Sequence, residues 1–259
     1  MTELIANLSE LLGLAESLAW AAALAFVRIG AVVALMPGLG DPSVPQRVKL
    51  ALVVAFTLVV APVLAERMGS GPAASLLVLG GEAVAGLVLG IGLRLFVLAL
   101  QTAAAMIAQA TTLSQLFAGA APEPQPAIGN LLLFAGIALA MTAGLHVKAA
   151  ELVLTSYDIL PAGARISAAA TADWGLALIG RTFGLAFTLA APFVIASLIY
   201  NLALGAINRA MPALMVSMVG APALTLGGLA LMAVATPVIL VVWLEAFSSQ
   251  LAQPFAVSP

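Results

Sequence analysis

Long apolar runs alternate with short polar breaks along the chain, and the turn-forming residues sit in the breaks. Ser17 to Met36 is nearly unbroken in apolar residues. A helix of that length rises ~30 Å, the thickness of one hydrocarbon core. The run stops at Pro37, Gly38, Gly40 and Pro42, residues that punctuate regular structure. Val48 to Ala65 predicts a second span, closed by Glu66, Arg67 and the Gly69–Pro72 stretch. Ala73 to Gly119 is a third apolar region that as one helix would reach ~70 Å. It is therefore expected either to bend near Gly90, Ile91 and Gly92 or to leave the membrane. Its second half carries Gln101, Thr102, Gln109, Thr111, Thr112, Ser114 and Gln115, which predicts a face toward protein or water rather than lipid.

Pro122, Pro124 and Pro126 then interrupt every periodic pattern, because each lacks an amide donor and fixes its own φ. Ile128 to Leu145 predicts the next span. Val147 to Gly180 mixes Lys148, Glu151, Asp158, Arg165 and Asp173 with apolar residues, and reads as an amphipathic extra-membrane segment with a turn at Pro161–Gly163. Phe183 to Leu204, with Pro192 inside, and Ala223 to Phe247 complete the set. The expected fold is an all-α, polytopic integral membrane protein with five or six long apolar helices. No linker or fixed-period repeat divides residues 1–259.

Composition supports the same class. Hydrophobic residues make up 63% of the chain and charged residues 8%, with a mean hydropathy of +1.19. A soluble domain usually carries about 25% charge, and with so little a water-facing surface could not be covered. A net charge of -2 offers no basic face for nucleic acid. Cysteine is absent and His146 is the single histidine, which excludes disulfides, thiol chemistry and multi-histidine metal sites. Met1 to Glu16 carries Glu3, Glu10 and Glu16 without Lys or Arg. It does not read as a secretory signal, so the first apolar run is expected to be kept. Arg47 and Lys49, the densest basic pair, point their loop toward the cytoplasm, without fixing the topology.

The polar residues inside apolar runs are the candidates for function. Arg28 lies near the middle of the first span, where a charge costs ~2.5–3.5 kcal/mol and needs a partner or water. Glu82, Gly86, Gly90 and Arg94 recur at i+4 in the third region, and Gly86-x-x-x-Gly90 is the small-residue pattern that lets helix backbones approach. Glu82 and Arg94, ~18 Å apart along one helix, cannot pair with each other. These residues either line a polar path between close-packed helices or form a structural ion pair, for example Arg28 with Glu82, that fixes helix register. Tyr200, Asn201, Asn208 and Arg209 at the end of the Phe183–Leu204 span are explained by interhelical hydrogen bonds and interfacial anchoring. His146 at a helix end reads as hydrogen-bonded rather than chemical, and the nine methionines as gap fillers. Gly136, Ala140 and Gly144 form another packing seam. No nucleophile elbow, Walker A sequence, zinc-protease motif or dinucleotide fingerprint occurs. No enzymatic activity and no cofactor are expected.

Three stretches together resemble the FliR/SctT family, export-gate subunits of flagellar and related type III secretion systems. The first is the Phe26–Pro37 run containing Arg28-Ile29-Gly30, followed by Ser43–Leu50 and Ala61-Pro62. The second is Gly144-Leu145-His146 leading to Ser156-Tyr157-Asp158 and Pro161–Gly163. The third is Pro192, then Asn201 to Pro212 with Gly205, Asn208 and Arg209, then Gly220–Pro222 and Gly227–Leu229. Ala213-Leu214 stands where the family often has Gln-Leu, and the third stretch is nearer the flagellar branch.

The resemblance implies a structural, gating subunit of a protein-export channel in the bacterial inner membrane, at the flagellar basal body. Its implied partners are FliP-like and FliQ-like subunits, an FlhB-like subunit and unfolded substrates in transit. It further implies a FliP-like part over about 1–180 and a FliQ-like helical hairpin over about 183–247. The implied plug loop spans Thr111 to Asn130, with Leu113, Leu116 and Phe117 at i, i+3 and i+4 as an apolar tip stiffened by Pro122, Pro124 and Pro126. A secondary transporter using Arg28, Glu82 and Arg94 is the alternative. Transporters usually show symmetry between halves and paired broken helices, and no such pairing is visible here.

Overall fold

The structure, a computed structural model, describes residues 2–68, 75–111, 127–210 and 216–256. Every regular element among them is a helix: α1 (Thr2–Leu35), α2 (Gln46–Met68), α3 (Leu76–Thr111), α4 (Ala127–Thr142), α5 (Leu145–Ile159), α6 (Ala168–Ala210) and α7 (Val216–Ala252). Five of them (α1, α2, α3, α6 and α7) contain stretches long and apolar enough to cross a membrane. Helices α4 and α5 form a sixth candidate span, bent by 69°. The bend falls at Gly144, whose φ of 82° lies in the left-handed region that other residues adopt only at a cost.

Helix ends depart from the apolar runs in several places. Helix α1 begins at Thr2 rather than near Ser17. Within the third apolar region α3 runs for 36 residues, unbroken through Gly90, Ile91 and Gly92, a length (~54 Å) that exceeds a bilayer without a break. The mixed segment Val147–Gly180 is not a separate element. It comprises α5, a turn closed by the Ala164 N–H to Pro161 carbonyl bond at 3.0 Å with Gly163 at φ 77°, and the first turns of α6. That helix runs without interruption from Ala168 into the apolar Phe183–Leu204 stretch, past Pro192. Amphipathicity survives within α5. Leu145, Ala149, Leu152, Val153, Ser156 and Tyr157 are buried at helical spacing, while Glu151 and Asp158 on other faces are exposed.

The chain divides into two compact units that are discontinuous in sequence. Residues 1–94, 144–177 and 249–259 form one; residues 95–143 and 178–248 form the other. In the first, α1 and α2 are joined by a tight connection. The Gly40 N–H donates to the Met36 carbonyl at 2.7 Å, and Lys49 Nζ donates to the Gly40 carbonyl at 2.9 Å. A Cβ on Gly40 would lie 2.6 Å from the Ala34 carbonyl oxygen, so the chain closes here only without a side chain. Helix α2 buries Val53, Thr57, Val60, Ala61 and Leu64 on one face and exposes Val54, Leu58, Val59 and Val63 on the other. The C-terminal segment is tied into the same unit. Trp174 Nε1 donates to the Pro254 carbonyl at 3.0 Å, and the Trp174 and Phe255 rings lie 5.9 Å apart.

In the second unit, Trp243 of α7 is fully buried and donates from Nε1 to the Phe96 carbonyl of α3 at 2.8 Å. Its ring stacks on Phe247 at 5.1 Å, and Phe247 packs against Phe96 at 6.0 Å. Gly136 of α4 lets this core close: a Cβ there would lie 2.5 Å from Leu100 Cδ2 and 3.5 Å from the Trp243 ring. Helix α6 contributes Leu178, Thr182, Ala186, Leu189, Ala190 and Phe193 from one face. Phe183, Phe187, Ile195, Leu198, Ile199 and Leu202 remain exposed.

Candidate functional site

The most polar buried locus lies in the first unit, around Arg28. One turn of α1 carries it into the interior, where its side chain is 1% exposed. Arg28 Nε donates to Glu82 Oε2 of α3 at 2.7 Å. One terminal nitrogen donates to Ser156 Oγ of α5 at 2.9 Å, and the other to the Leu160 carbonyl at 2.9 Å. The guanidinium carbon sits 3.6 Å from the centre of the Tyr157 ring, a cation–π contact. Glu82, also 1% exposed, accepts a longer bond from the Gly163 N–H at 3.4 Å on its second oxygen. The Ser156 hydroxyl donates to the Val153 carbonyl at 2.6 Å, which leaves its lone pairs to receive Arg28. Among the described residues the buried Tyr157 hydroxyl has no partner in hydrogen-bond geometry.

This arrangement follows from the chemistry of the pair. Two charges removed from water lose solvation worth several kcal/mol each, and the protein recovers it only with close contact and saturated donors. Arginine's planar fork supplies donors in several directions at once. Here the fork joins four elements: α1, α3, α5 and the turn that follows it. The cluster thereby fixes the Leu160–Gly163 turn against two apolar helices that could otherwise slide.

The i+4 stripe of α3 faces α1 as far as Gly90 and then the connection that follows α1. Glu82 meets Arg28. A Cβ on Gly86 would overlap the Arg28 carbonyl and come within 2.7 Å of Ala31 Cβ, and one on Gly90 would come within 2.9 Å of Leu35 Cβ. Arg94 reaches Asp41 at 3.9 Å, with both side chains 37% exposed. Partners on both helices rise in number together, so α1 and α3 run parallel, in contact close enough to exclude a methyl group.

The remaining candidates are not gathered here. Asn201, Asn208 and Arg209 are exposed along the last turns of α6, and His146 is exposed at the start of α5. Leu113, Leu116, Phe117, Pro122, Pro124 and Pro126 lie outside the described residues. Reading the sequence did not single out Ser156, Tyr157 or the Leu160 carbonyl as partners of Arg28. The available signal was a serine and a tyrosine on the apolar face of an otherwise charged helix. Among the described residues no group of three or more His, Asp or Glu side chains is placed to hold a metal ion.

A second polar feature lies in the other unit. Gln101, Thr102, Ala104 and Ala105 of α3 and Gly129, Asn130 and Leu133 of α4 line a groove of about 550 Å³. A smaller, mainly apolar cavity of about 310 Å³ lies between α6 and α7, with Phe193, Ala196, Tyr200, Leu224, Gly227 and Leu231 among its lining.

Comparison with known proteins covers nearly the whole molecule. The family described as bacterial export proteins, family 1, matches residues 19–250. The flagellar biosynthetic protein FliR of Caulobacter vibrioides is 34% identical over 234 residues, 88% of this chain and 93% of the relative. FliR of Pectobacterium carotovorum subsp. carotovorum is 30% identical over 212 residues, 78% and 79% of the two chains. FliR of Escherichia coli K12 is 29% identical over 219 residues, 82% and 83%. The buried Arg28–Glu82 pair and the small-residue seam fall inside the matched region, and the chain belongs to the bacterial export proteins of family 1, the family of the flagellar biosynthetic protein FliR.

Proposed function

We propose that this chain, a membrane-embedded component of a flagellar export apparatus, is a structural and gating subunit of the channel that passes unfolded substrates. It works in the inner membrane at the flagellar basal body, with FliP-like and FliQ-like subunits and an FlhB-like subunit. The observation that carries this reading is the family match, which runs from residue 19 to residue 250. Two physical features support it. Helices α3, α6 and α7 hold 36, 43 and 37 residues, or ~54–65 Å of rise. A hydrocarbon core is ~30 Å thick, so at the usual tilt of about 20° part of each helix lies outside it, as an assembly that projects from the bilayer requires. The exposed faces of α6 and α7 are large and apolar, which suits coverage by further helices as well as by lipid.

In this reading residues 1–180 are the FliP-like part, and α6 with α7 provides the FliQ-like hairpin over 183–247. The plug lies within Thr111 to Asn130, in the connection between the end of α3 at Thr111 and the start of α4 at Ala127. Arg28 and Glu82 are structural: a transporter would have to load and release a proton or ion at them, whereas Arg28 is held by three hydrogen bonds and an aromatic face. The deciding experiment is affinity purification from membranes in mild detergent. A gate subunit emerges with several other small membrane proteins, and deleting Ala118 to Pro126 in that complex raises small-ion leakage. A monodisperse homo-oligomer that moves a solute by itself would replace this reading with the transporter.

A further inference from the structure

The exposed face of α3 changes character along its length. Val84, Leu87, Ile91 and Leu98 are exposed and apolar; Gln101, Ala105 and Gln109 continue the same face. Each step between them is three, four or seven residues, which keeps them on one side of a helix. From Leu76 to Leu98 the helix rises ~33 Å, one hydrocarbon core. The side-chain amides begin where that thickness ends.

At this point α3 and the start of α4 enclose the groove of about 550 Å³. Among the described residues its lining holds no charged side chain. It holds the amides of Gln101 and Asn130, the hydroxyl of Thr102, and the small residues Ala104, Ala105 and Gly129. Gln101 and Asn130 are exposed. No hydrogen bond joins either amide to another described residue. A primary amide both donates and accepts, so a pair of them matches the N–H and C=O of an extended main chain whatever its side chains. Alanine and glycine at the base let a backbone approach. Lipid tails offer such amides nothing, and leaving them in hydrocarbon is costly.

We propose that this groove binds the main chain of an extended polypeptide in transit, through Gln101, Thr102 and Asn130. The proposal rests on the export-channel reading and assigns residues of this chain to contact with substrate. Uncharged amides without a deep apolar pocket hold any sequence weakly, which is what passage of chemically diverse chains requires.

The test is site-specific photocrosslinking in the assembled complex, in cells where an exported polypeptide carrying a tightly folded C-terminal domain stalls in the channel. A photoreactive residue replaces Gln101, Ala105 or Asn130, with Leu87 and Ile91 on the apolar part of α3 as controls. Crosslinks to the stalled polypeptide are expected at 101, 105 and 130, several-fold above those at 87 and 91. The Q101A/N130A double variant is expected to lower the export rate several-fold at unchanged yield of complex. The proposal fails if positions 101 and 130 crosslink only to another subunit or to lipid while the stalled polypeptide crosslinks elsewhere in this chain. If the stalled polypeptide crosslinks nowhere in this chain, the export-channel reading itself is lost, and the groove assignment with it.

Discussion

The unit containing α1 and α2 has an arginine and a glutamate among its most buried side chains; the unit containing α4 and most of α7 has Trp243, Phe96, Phe193 and Phe247 in that place. The first is organised by direction. Arg28 reaches α3, α5 and the following turn through donors of fixed geometry, and each contact specifies a register. The second is organised by shape. One indole N–H is satisfied by a backbone carbonyl, and the rest is aromatic and aliphatic contact, additive and tolerant of small shifts. In a membrane this contrast matters, because lipid is as apolar as the helices and burial alone discriminates poorly between packings. A charged pair with saturated donors discriminates strongly: every alternative register leaves a charge unpartnered.

The comparison is broken most severely at Glu82. Glu82→Gln keeps the shape and leaves Arg28 charged and buried without its counter-ion. Removing one partner of a buried pair costs ~3–5 kcal/mol, so this variant is expected to fall sharply in membrane abundance and in the thermal stability of the purified complex. The double variant R28M/E82L removes both charges and is expected to recover much of that loss. A double variant as poor as Glu82→Gln would mean that the pair does more than fix register. Gly86→Ala comes next. The added methyl meets the Arg28 carbonyl and Ala31 Cβ, with an expected cost of ~1–3 kcal/mol from overpacking. The same assays should place it between Glu82→Gln and the wild type, and a neutral result would show that α1 and α3 separate easily.

These two positions also show what the sequence made legible. That Arg28 and Glu82 needed protein partners followed from the cost of charge in lipid, and that Gly86 and Gly90 marked a close approach followed from their spacing. The partners on α5 did not follow. Ser156 is separated from Arg28 by 128 positions, and only the fold decides which distant helix supplies a hydroxyl. Helix ends were obscured for a different reason. Hydropathy locates a stretch that suits a bilayer, while a helix continues as long as its own hydrogen bonds do. So α1 extends back to Thr2 through Glu3 and Asn7, and α6 extends back to Ala168 through Asp173 and Arg181. The proline-rich stretch around Pro122–Pro126 announced a break, and its conformation lies outside the described residues.

In the aromatic unit the matching perturbation is mild. Trp243→Phe keeps most of the buried ring and deletes the N–H bonded to the Phe96 carbonyl. One net hydrogen bond is worth ~0.5–1.5 kcal/mol, and the carbonyl keeps its place in α3. A shift of a few degrees in the melting midpoint of the complex is expected, well short of the effect of Glu82→Gln. A loss as large as that of Glu82→Gln would erase the distinction between the two cores.

The smallest effect is expected at an exposed ion pair of the first unit. Arg67 at the end of α2 donates to Asp158 of α5 at 2.8 Å, nearly the separation between Arg28 and Glu82. Distance alone would rank the two pairs together. Exposure separates them, since the Arg67 and Asp158 side chains are 48% and 62% exposed. Water screens such a pair, and holding two mobile side chains in one geometry offsets most of the gain, so exposed pairs contribute ~0–1 kcal/mol. Arg67→Ala is therefore expected to change the stability of the complex by less than 1 kcal/mol, and raising the salt concentration should shrink even that difference. The measurement also reports on where the charged face of α5 lies. Were that face within hydrocarbon, Asp158 without Arg67 would be an unpaired charge in lipid, and Arg67→Ala would cost several times more with no response to salt. A small, salt-sensitive effect places this face in water, whereas Arg28 and Glu82 are each 1% exposed and out of its reach.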